Sequence, residues 1–274
     1  MNAAKVIAPL DGAGAAFDEI AKRYDRDWTA TQIGALQRAA VWRSLDRLFG
    51  PGDRVLDLGC GTGAEAAHLA RRRVEVVTTD ISPRMIQATV GRAEELGLSG
   101  QISARTVGME GLMQLDAEPF DGALSNFGGL NCLRLAEISS VARSLARSVR
   151  PGGKLALCVM GRFCLWETLA YSLRLQLRKA FRRLSGRAET SLGTGHDFAV
   201  YYPAVTELRH AFASEFRFEE VRGVGIFVPP SSLEEFAKRF PRLLRLCALE
   251  DRAVESWPMF RAIGDHRLLI LRRR

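Results

Sequence analysis

Three glycines at alternate positions follow an acid in the run Val55-Leu56-Asp57-Leu58-Gly59-Cys60-Gly61-Thr62-Gly63. The apolar residues before them read as a strand, and Ala64-Glu65-Ala66-Ala67-His68-Leu69-Ala70 after them is built from strong helix formers. Gly59, Gly61 and Gly63 let the chain turn sharply and let a ligand meet the main chain without a Cβ in the way, while the free amides of the new helix face the same spot. Glycines alone do not choose the ligand, because Gly59-x-Gly61-x-x-Ala64 also fits the dinucleotide fingerprint. Charge separates the two cases. Asp57 is expected at the carboxyl end of its strand, projecting into the ligand crevice, where it repels a pyrophosphate and attracts a cation. No Lys or Arg lies between Asp57 and His68 to recruit a phosphate.

A nucleoside with an ammonium and a sulfonium, S-adenosylmethionine (SAM), answers that description. Val74-Glu75-Val76-Val77-Thr78-Thr79-Asp80 reads as a second strand that again ends in an acid. A carboxylate at Asp80 accepts both hydroxyls of an adenosyl ribose, whether of NAD or of SAM, and Ile81 is placed to cover one adenine face. Val55 to Gly63 together with Asp80 resembles the class I SAM-dependent methyltransferases. The closest resemblance is to the bacterial small-molecule group that includes the ubiquinone and menaquinone biosynthesis methyltransferases.

The elements that must hold these residues follow a β/α alternation from 54 to 160, for which a doubly wound parallel sheet is the expected solution. The resemblance implies a Rossmann-like sheet of seven strands, mostly parallel with an antiparallel last strand, and a helical insertion after strand five. Four stretches are expected: N-terminal helices over the cofactor (1–50), a SAM-binding core (51–160), a helical insertion or lid (161–202), and the remainder of the same catalytic domain (203–274). Phe17-Asp18-Glu19-Ile20-Ala21-Lys22-Arg23-Tyr24-Asp25 resembles the family's entry helix, whose tyrosine closes over the cofactor; simple packing at helical spacing is the alternative for Tyr24. A second helix is expected over Gln37–Leu48, and one after the cap Ser82-Pro83 up to Leu96, with Met85 near adenine or ribose or in the core. In Gly108-Met109-Glu110, relatives often carry an acid for the adenine amino group where Met109 stands here, and Glu110 is the substitute. Arg150-Pro151-Gly152-Gly153-Lys154-Leu155 resembles the family's turn into strand five.

Ser125, Asn126 and Phe127, leaving the fourth strand, are expected to meet the methionine end of the cofactor and the methyl acceptor. Cys60, inside the turn where only a small side chain fits, is grouped with the cofactor residues. His196 with Asp197, Tyr201 and Tyr202 are the candidates for moving a proton, in a segment whose glycines suggest a mobile loop. The catalytic expectation therefore rests on His196, Tyr201 and Asn126. Methyl transfer from a sulfonium requires alignment and exclusion of water, and a base only where the acceptor must lose a proton, so no Ser/His/Asp triad is needed. Ser231–Ser256 is expected as one helix and His266–Leu271 as the last strand.

Composition limits the rest. The chain has 274 residues, 47% of them hydrophobic, enough for one sizeable domain with an insertion. Met1 to Leu10 lacks a signal-peptide run, and a cytoplasmic location is expected. Five cysteines without a C-x-x-C pair indicate neither a disulfide framework nor a zinc site. The net charge of +8 permits anionic partners, and the basic, apolar-interleaved stretch 161–190 offers contact with a membrane surface. Ser125-Asn126-Phe127-Gly128-Gly129 is not the Pro-Pro-aromatic run of base-nitrogen methylating enzymes, which disfavours a nucleic-acid substrate. The expected partner is a small-molecule or lipid-like acceptor. Two other readings stay open: a SAM-binding protein that does not methylate, and an NAD-dependent oxidoreductase, which Asp57 disfavours.

Overall fold

The computed structural model describes residues 12–115 and 118–274, so the expectation for Met1 to Leu10 lies outside the described residues. Two helices, α1 (Gly12–Tyr24) and α2 (Gln32–Leu48), precede the sheet and are joined by a wide helical turn over Asp25–Thr29. Strands β1 (Arg54–Leu58), β2 (Glu75–Asp80), β3 (Ile102–Thr106), β4 (Phe120–Ser125) and β5 (Val149–Met160) then alternate with α3 (Ala64–Ala70), α4 (Pro83–Glu95) and α5 (Leu135–Ser148). After β5 come α6 (Leu165–Leu173), α7 (Leu177–Ala180), β6 (Arg187–Ser191), β7 (Asp197–Tyr201) and α8 (Val205–Phe212). The last elements are β8 (Phe216–Val224), α9 (Glu234–Arg239), α10 (Pro241–Val254), α11 (Pro258–Arg261) and β9 (His266–Arg273).

Seven strands form one sheet in the order β3-β2-β1-β4-β5-β9-β8. β1 to β5 run parallel, and β9 enters antiparallel to both β5 and β8. This is the expected doubly wound, mostly parallel sheet of seven strands. Side chains alternate across each strand, so Val55, Val76, Leu124 and Ala156 pack on one face against Val41 and Leu45 of α2 and Leu69 of α3. Leu56, Leu58, Leu155 and Leu157 pack on the other against Ile138, Val141 and Leu145 of α5 and Phe212 of α8. Each such fully buried side chain contributes about 1.5–3 kcal/mol relative to exposure. The order of strands reverses between β1 and β4, and a crevice opens beyond their carboxyl ends.

Three local expectations are corrected. The insertion is only partly helical: α6 and α7 are followed by the β6–β7 hairpin, with Ser191 paired to Asp197. Gly193 and Gly195 lie in the turn of this hairpin with φ of 72° and 75°. Second, α2 starts at Gln32, because Thr31 Oγ1 accepts the Gly34 amide at 3.0 Å and caps the helix earlier than the apolar spacing suggests. Third, 231–256 is broken at Phe240, where Pro241 cannot continue α9 and instead begins α10.

Candidate active site

The loop from β1 to α3 makes the floor of the crevice. Gly59, Gly61 and Gly63 all take left-handed backbone angles, with φ of 65°, 54° and 75°, which side-chain-bearing residues rarely adopt. A Cβ at Gly63 would come within 2.7 Å of Thr89, so α4 packs directly on the loop. Asp80 ties the loop to the end of β2: Oδ2 accepts the Gly61 amide and Oδ1 the Ser82 amide, each at 2.9 Å. Ser82 Oγ accepts the Met85 amide at 3.1 Å and caps α4 with Pro83 at its first turn.

The N-terminal elements are clamped onto this floor. Thr62 Oγ1 donates to Asp25 at 2.6 Å, Arg92 pairs with Asp25, and Ser82 Oγ donates to Asp18 at 2.7 Å. Phe17 and Tyr24 of α1 thereby stand opposite the glycine loop. Burial pushes the Tyr24 phenol up to about 12, so it remains neutral.

Two cavities result. The first, of about 380 Å³, is lined by Gly59, Gly61, Asp80, Ile81, Met85, Met109, Glu110, Asn126 and Phe127, with Tyr24 on the opposite wall. The second, of about 340 Å³, shares Phe17, Tyr24, Phe127 and Cys132 with the first and extends to Trp28, Arg38, Met160, Phe198, Tyr202 and His266. Phe127 stands at their junction with a left-handed φ of 47°, a conformation that costs on the order of 1 kcal/mol for a residue with a side chain.

Asp57 is not on either cavity wall. It is 1% exposed, beside Thr78 of β2 and Leu124 of β4, and its Oδ2 has no hydrogen-bond partner. Burial pushes its carboxyl well above the usual range, with the charges of Glu65 and Asp80 adding and Arg38 opposing. The expected projection into the crevice is thus replaced by a place beneath it, because the chain turns over Asp57 at Gly59. Cys60, Gly63 and Ser125 belong to the same underlying layer, and the Ser125 hydroxyl is also buried without a partner. Burial, with Asp80 and Asp57 close by, pushes the Cys60 thiol well above its usual range and leaves it unreactive.

Asn126 faces the cofactor-sized cavity, but its amide is engaged: Nδ2 donates to Glu65 at 2.9 Å and Oδ1 accepts the Phe127 amide at 3.0 Å. Glu65 also pairs with Arg38, both nearly buried, and the guanidinium lies 5.0 Å from the Phe127 ring centre.

The expected proton-handling pair is not brought together with this site. His196 sits at the β6–β7 turn with its side chain about half exposed, 3.8 Å from Glu19, and lines neither cavity. Tyr201 contributes its carbonyl to Asn131 at 2.6 Å and likewise lines neither cavity. Hairpin alternation explains the exchange, since Tyr202, one residue on, faces the second cavity. His266, Asp265, Arg183 and Glu167 also line it and escaped the sequence reading, for they come from three distant segments with no shared motif. Arg183 donates to Glu167 at 2.6 Å and to Asp265 at 2.8 Å. Burial opposes the charge of Arg183, but Asp265 and Glu167 outweigh it.

Comparison with known proteins agrees with this geometry. Residues 55–153 match the methyltransferase domain family. The chain is 31% identical over 145 residues to a demethylmenaquinone methyltransferase of Mycobacterium marinum, covering 52% of this chain and 56% of the relative. It is 33% identical over 150 residues to the tRNA 5-carboxymethoxyuridine methyltransferase of Escherichia coli, covering 52% and 54%. The chain thus spans about half the length of these curated relatives. Among solved structures, the CcbJ methyltransferase of Streptomyces caelestis superposes with a TM-score of 0.65 at 16% identity, covering 96% of this chain and 99% of the other. The cyclase SpnF superposes at 0.60 with 18% identity, covering 96% and 97%. Both likenesses speak to the fold. Strand order, glycine loop and sequence match converge on residues 55–153, a segment that matches the methyltransferase domain family and resembles the corresponding part of a quinone-biosynthesis methyltransferase.

Proposed function

We propose that the chain transfers the methyl group of SAM to a small-molecule or lipid-like acceptor. One observation carries this reading: among the described residues, the only charged side chains lining the cavity over the glycine loop are those of Asp80 and Glu110, both acidic. This pair of acids suits an amino-acid nucleoside bearing positive charge and opposes a pyrophosphate. In this reading Asp80 accepts the ribose hydroxyls, Ile81, Met85 and Met109 flank adenine, Glu110 reaches its amino group, and the backbone of Gly59 and Gly61 faces the methionine end. Bound SAM supplies an activated methyl group and a neutral leaving group. The chain's own task is to hold an acceptor in the second cavity, at the junction marked by Tyr24 and Phe127, and to keep water away.

A second cavity of about 340 Å³, with Phe17, Trp28, Phe127, Phe198 and Tyr202 in its lining, favours a small acceptor over a nucleic acid, although one relative is named for tRNA. A lipid-like acceptor draws support from the α6–α7 corner, where Leu173, Leu175 and Leu177 are 86%, 87% and 59% exposed beside Arg174, Arg178 and Lys179. Among the described residues, no helix is long and apolar enough to cross a membrane. Five unpaired cysteines accord with a cytoplasmic setting.

Titration with SAM, its demethylated product S-adenosylhomocysteine (SAH) and NAD tests the proposal. Binding of SAM and SAH without NAD is expected; NAD binding without SAM would overturn it. The fold of a cyclase shows that this architecture also serves other reactions, and SAH formed only in the presence of an acceptor separates methyl transfer from that second reading.

A pH dependence follows from Asp80. Burial raises its carboxyl to about 6, with the amides of Ser82 and Gly61 opposing. Ribose hydroxyls donate to the ionised form, so calorimetry at pH 5 and 7.5 should show SAM bound roughly tenfold more tightly at the higher pH. Stability without cofactor runs the other way. The unfolded chain releases this proton near pH 4 and the fold keeps it to about 6, so this group's contribution declines as pH rises across that interval.

A further inference from the structure

We propose that His266 is the catalytic base of this site and that its acceptor carries a neutral hydroxyl, a phenol or an alcohol. The inference rests on the methyl-transfer reading above and names the substrate class for it. His266 opens β9, with its Cα paired to Met160 at the carboxyl end of β5 and to Val224 of β8, so the fold delivers it to the edge where ligands sit. Its ring meets the Phe127 ring edge-on at 5.2 Å between centres, one side chain away from the junction of the two cavities.

The two ring nitrogens are unequal. Nδ1 is sealed from solvent, has no hydrogen-bond partner, and lies 3.4 Å from Asp265 Oδ2, the nearby anion that favours a proton on this nitrogen. His266 is 8% exposed and lines the second cavity, and with Nδ1 the buried nitrogen, Nε2 is the one left for an acceptor. Asp265 is itself held in place by Arg183, which Glu167 also grips. Burial would raise the Asp265 carboxyl, but His266 and Arg183 hold it well below the usual range, so it stays an anion behind the ring.

The surrounding charges select a neutral acceptor. Arg183 is matched by Glu167 and Asp265, Arg182 by Glu167, and Arg38, on the far side of Phe127, by Glu65. Arg267, the next residue, donates to the Gly264 carbonyl at 2.7 Å, and the Tyr202 ring lies 5.4 Å from the Arg183 guanidinium. Among the described residues that line this cavity, each carboxylate already faces a guanidinium and each guanidinium a carboxylate. A hydroxyl needs only an acceptor for its proton. As oxygen bonds to the methyl carbon, the carbon–sulfur pair stays with sulfur and the hydroxyl proton passes to Nε2, from which it leaves to solvent.

The test uses the SAH-loaded protein with 4-nitrophenol, whose ionisation near neutrality is visible, and its methyl ether 4-nitroanisole. Expected are preference for the phenol over the ether, ionisation of the bound phenol at lower pH than free, and roughly tenfold weaker phenol binding with loss of that shift in H266Q. D265N should shrink the shift while retaining phenol binding. SAH affinity unchanged in H266Q certifies its fold, and H266N repeats the comparison if it is not. Equal phenol binding and ionisation in the variant, or no preference for phenol in the wild type, overturns the proposal while SAH binding leaves the methyltransferase reading standing. Failure of the wild type to bind SAH removes both.

Discussion

Asp80→Ala is expected to weaken SAM binding at least thirtyfold at pH 7.5. Hydrogen bonds to an ionised group contribute about 1.5–3 kcal/mol each, and every 1.4 kcal/mol is tenfold in affinity, so losing the ribose contacts alone reaches this range. The loss has a second source in the protein. Both Asp80 oxygens already hold amides, Gly61 in the glycine loop and Ser82 at the start of α4, so alanine also releases the two backbone segments that shape the cavity. Asp80→Asn keeps one carbonyl-type oxygen but turns an NH2 toward the other amide, and its affinity should fall between the two. Calorimetric affinity for SAM within threefold of wild type in Asp80→Ala would show that the cofactor ribose is held elsewhere.

Glu65→Ala is expected to destabilise the fold by about 3–5 kcal/mol, the range for removing one partner of a buried ion pair. Arg38 is 7% exposed and its guanidinium depends on Glu65, while Asn126 Nδ2 loses its acceptor in the same change. A domain's whole stability is about 5–15 kcal/mol, so urea unfolding should show a midpoint shifted by a large fraction of its value. Glu65 also contributes to raising the buried Asp57, and relief of that repulsion favours the lower end of the range. Replacing both partners, Arg38→Met with Glu65→Leu, should cost less than Glu65→Ala alone, because no charge is then left unpaired. A shift below about 1 kcal/mol in Glu65→Ala would show that water reaches Arg38.

What could be read in sequence order is what physical chemistry decides locally. A glycine permits a left-handed φ wherever it stands, a serine before a proline starts a helix, and an apolar run flanked by turns makes a buried strand. Hence Gly59 to Gly63, the cap at Ser82, β1 to β5 and Asp80 at a strand end were legible, and the alternation of strands and helices implied the parallel sheet. Local rules also misled. A histidine next to glycines and tyrosines resembles a working loop, yet at the β6–β7 turn His196 faces outward, and hairpin alternation gives Tyr202 the inward place instead of Tyr201.

Residue types and spacing by themselves determined the fold class and the glycine loop, because each of these is set by backbone freedom and by side chains close in the chain. Only the tertiary structure decided that Asp57 lies under the loop instead of in the crevice, and that Glu167, Arg183, Asp265 and His266 meet in one wall. Their assembly depends on β9 entering antiparallel beside β5 and on the 3.4 Å and 2.8 Å approaches that follow. Such contacts are properties of packing between remote segments, where a titratable group finds its partner through space and not along the chain.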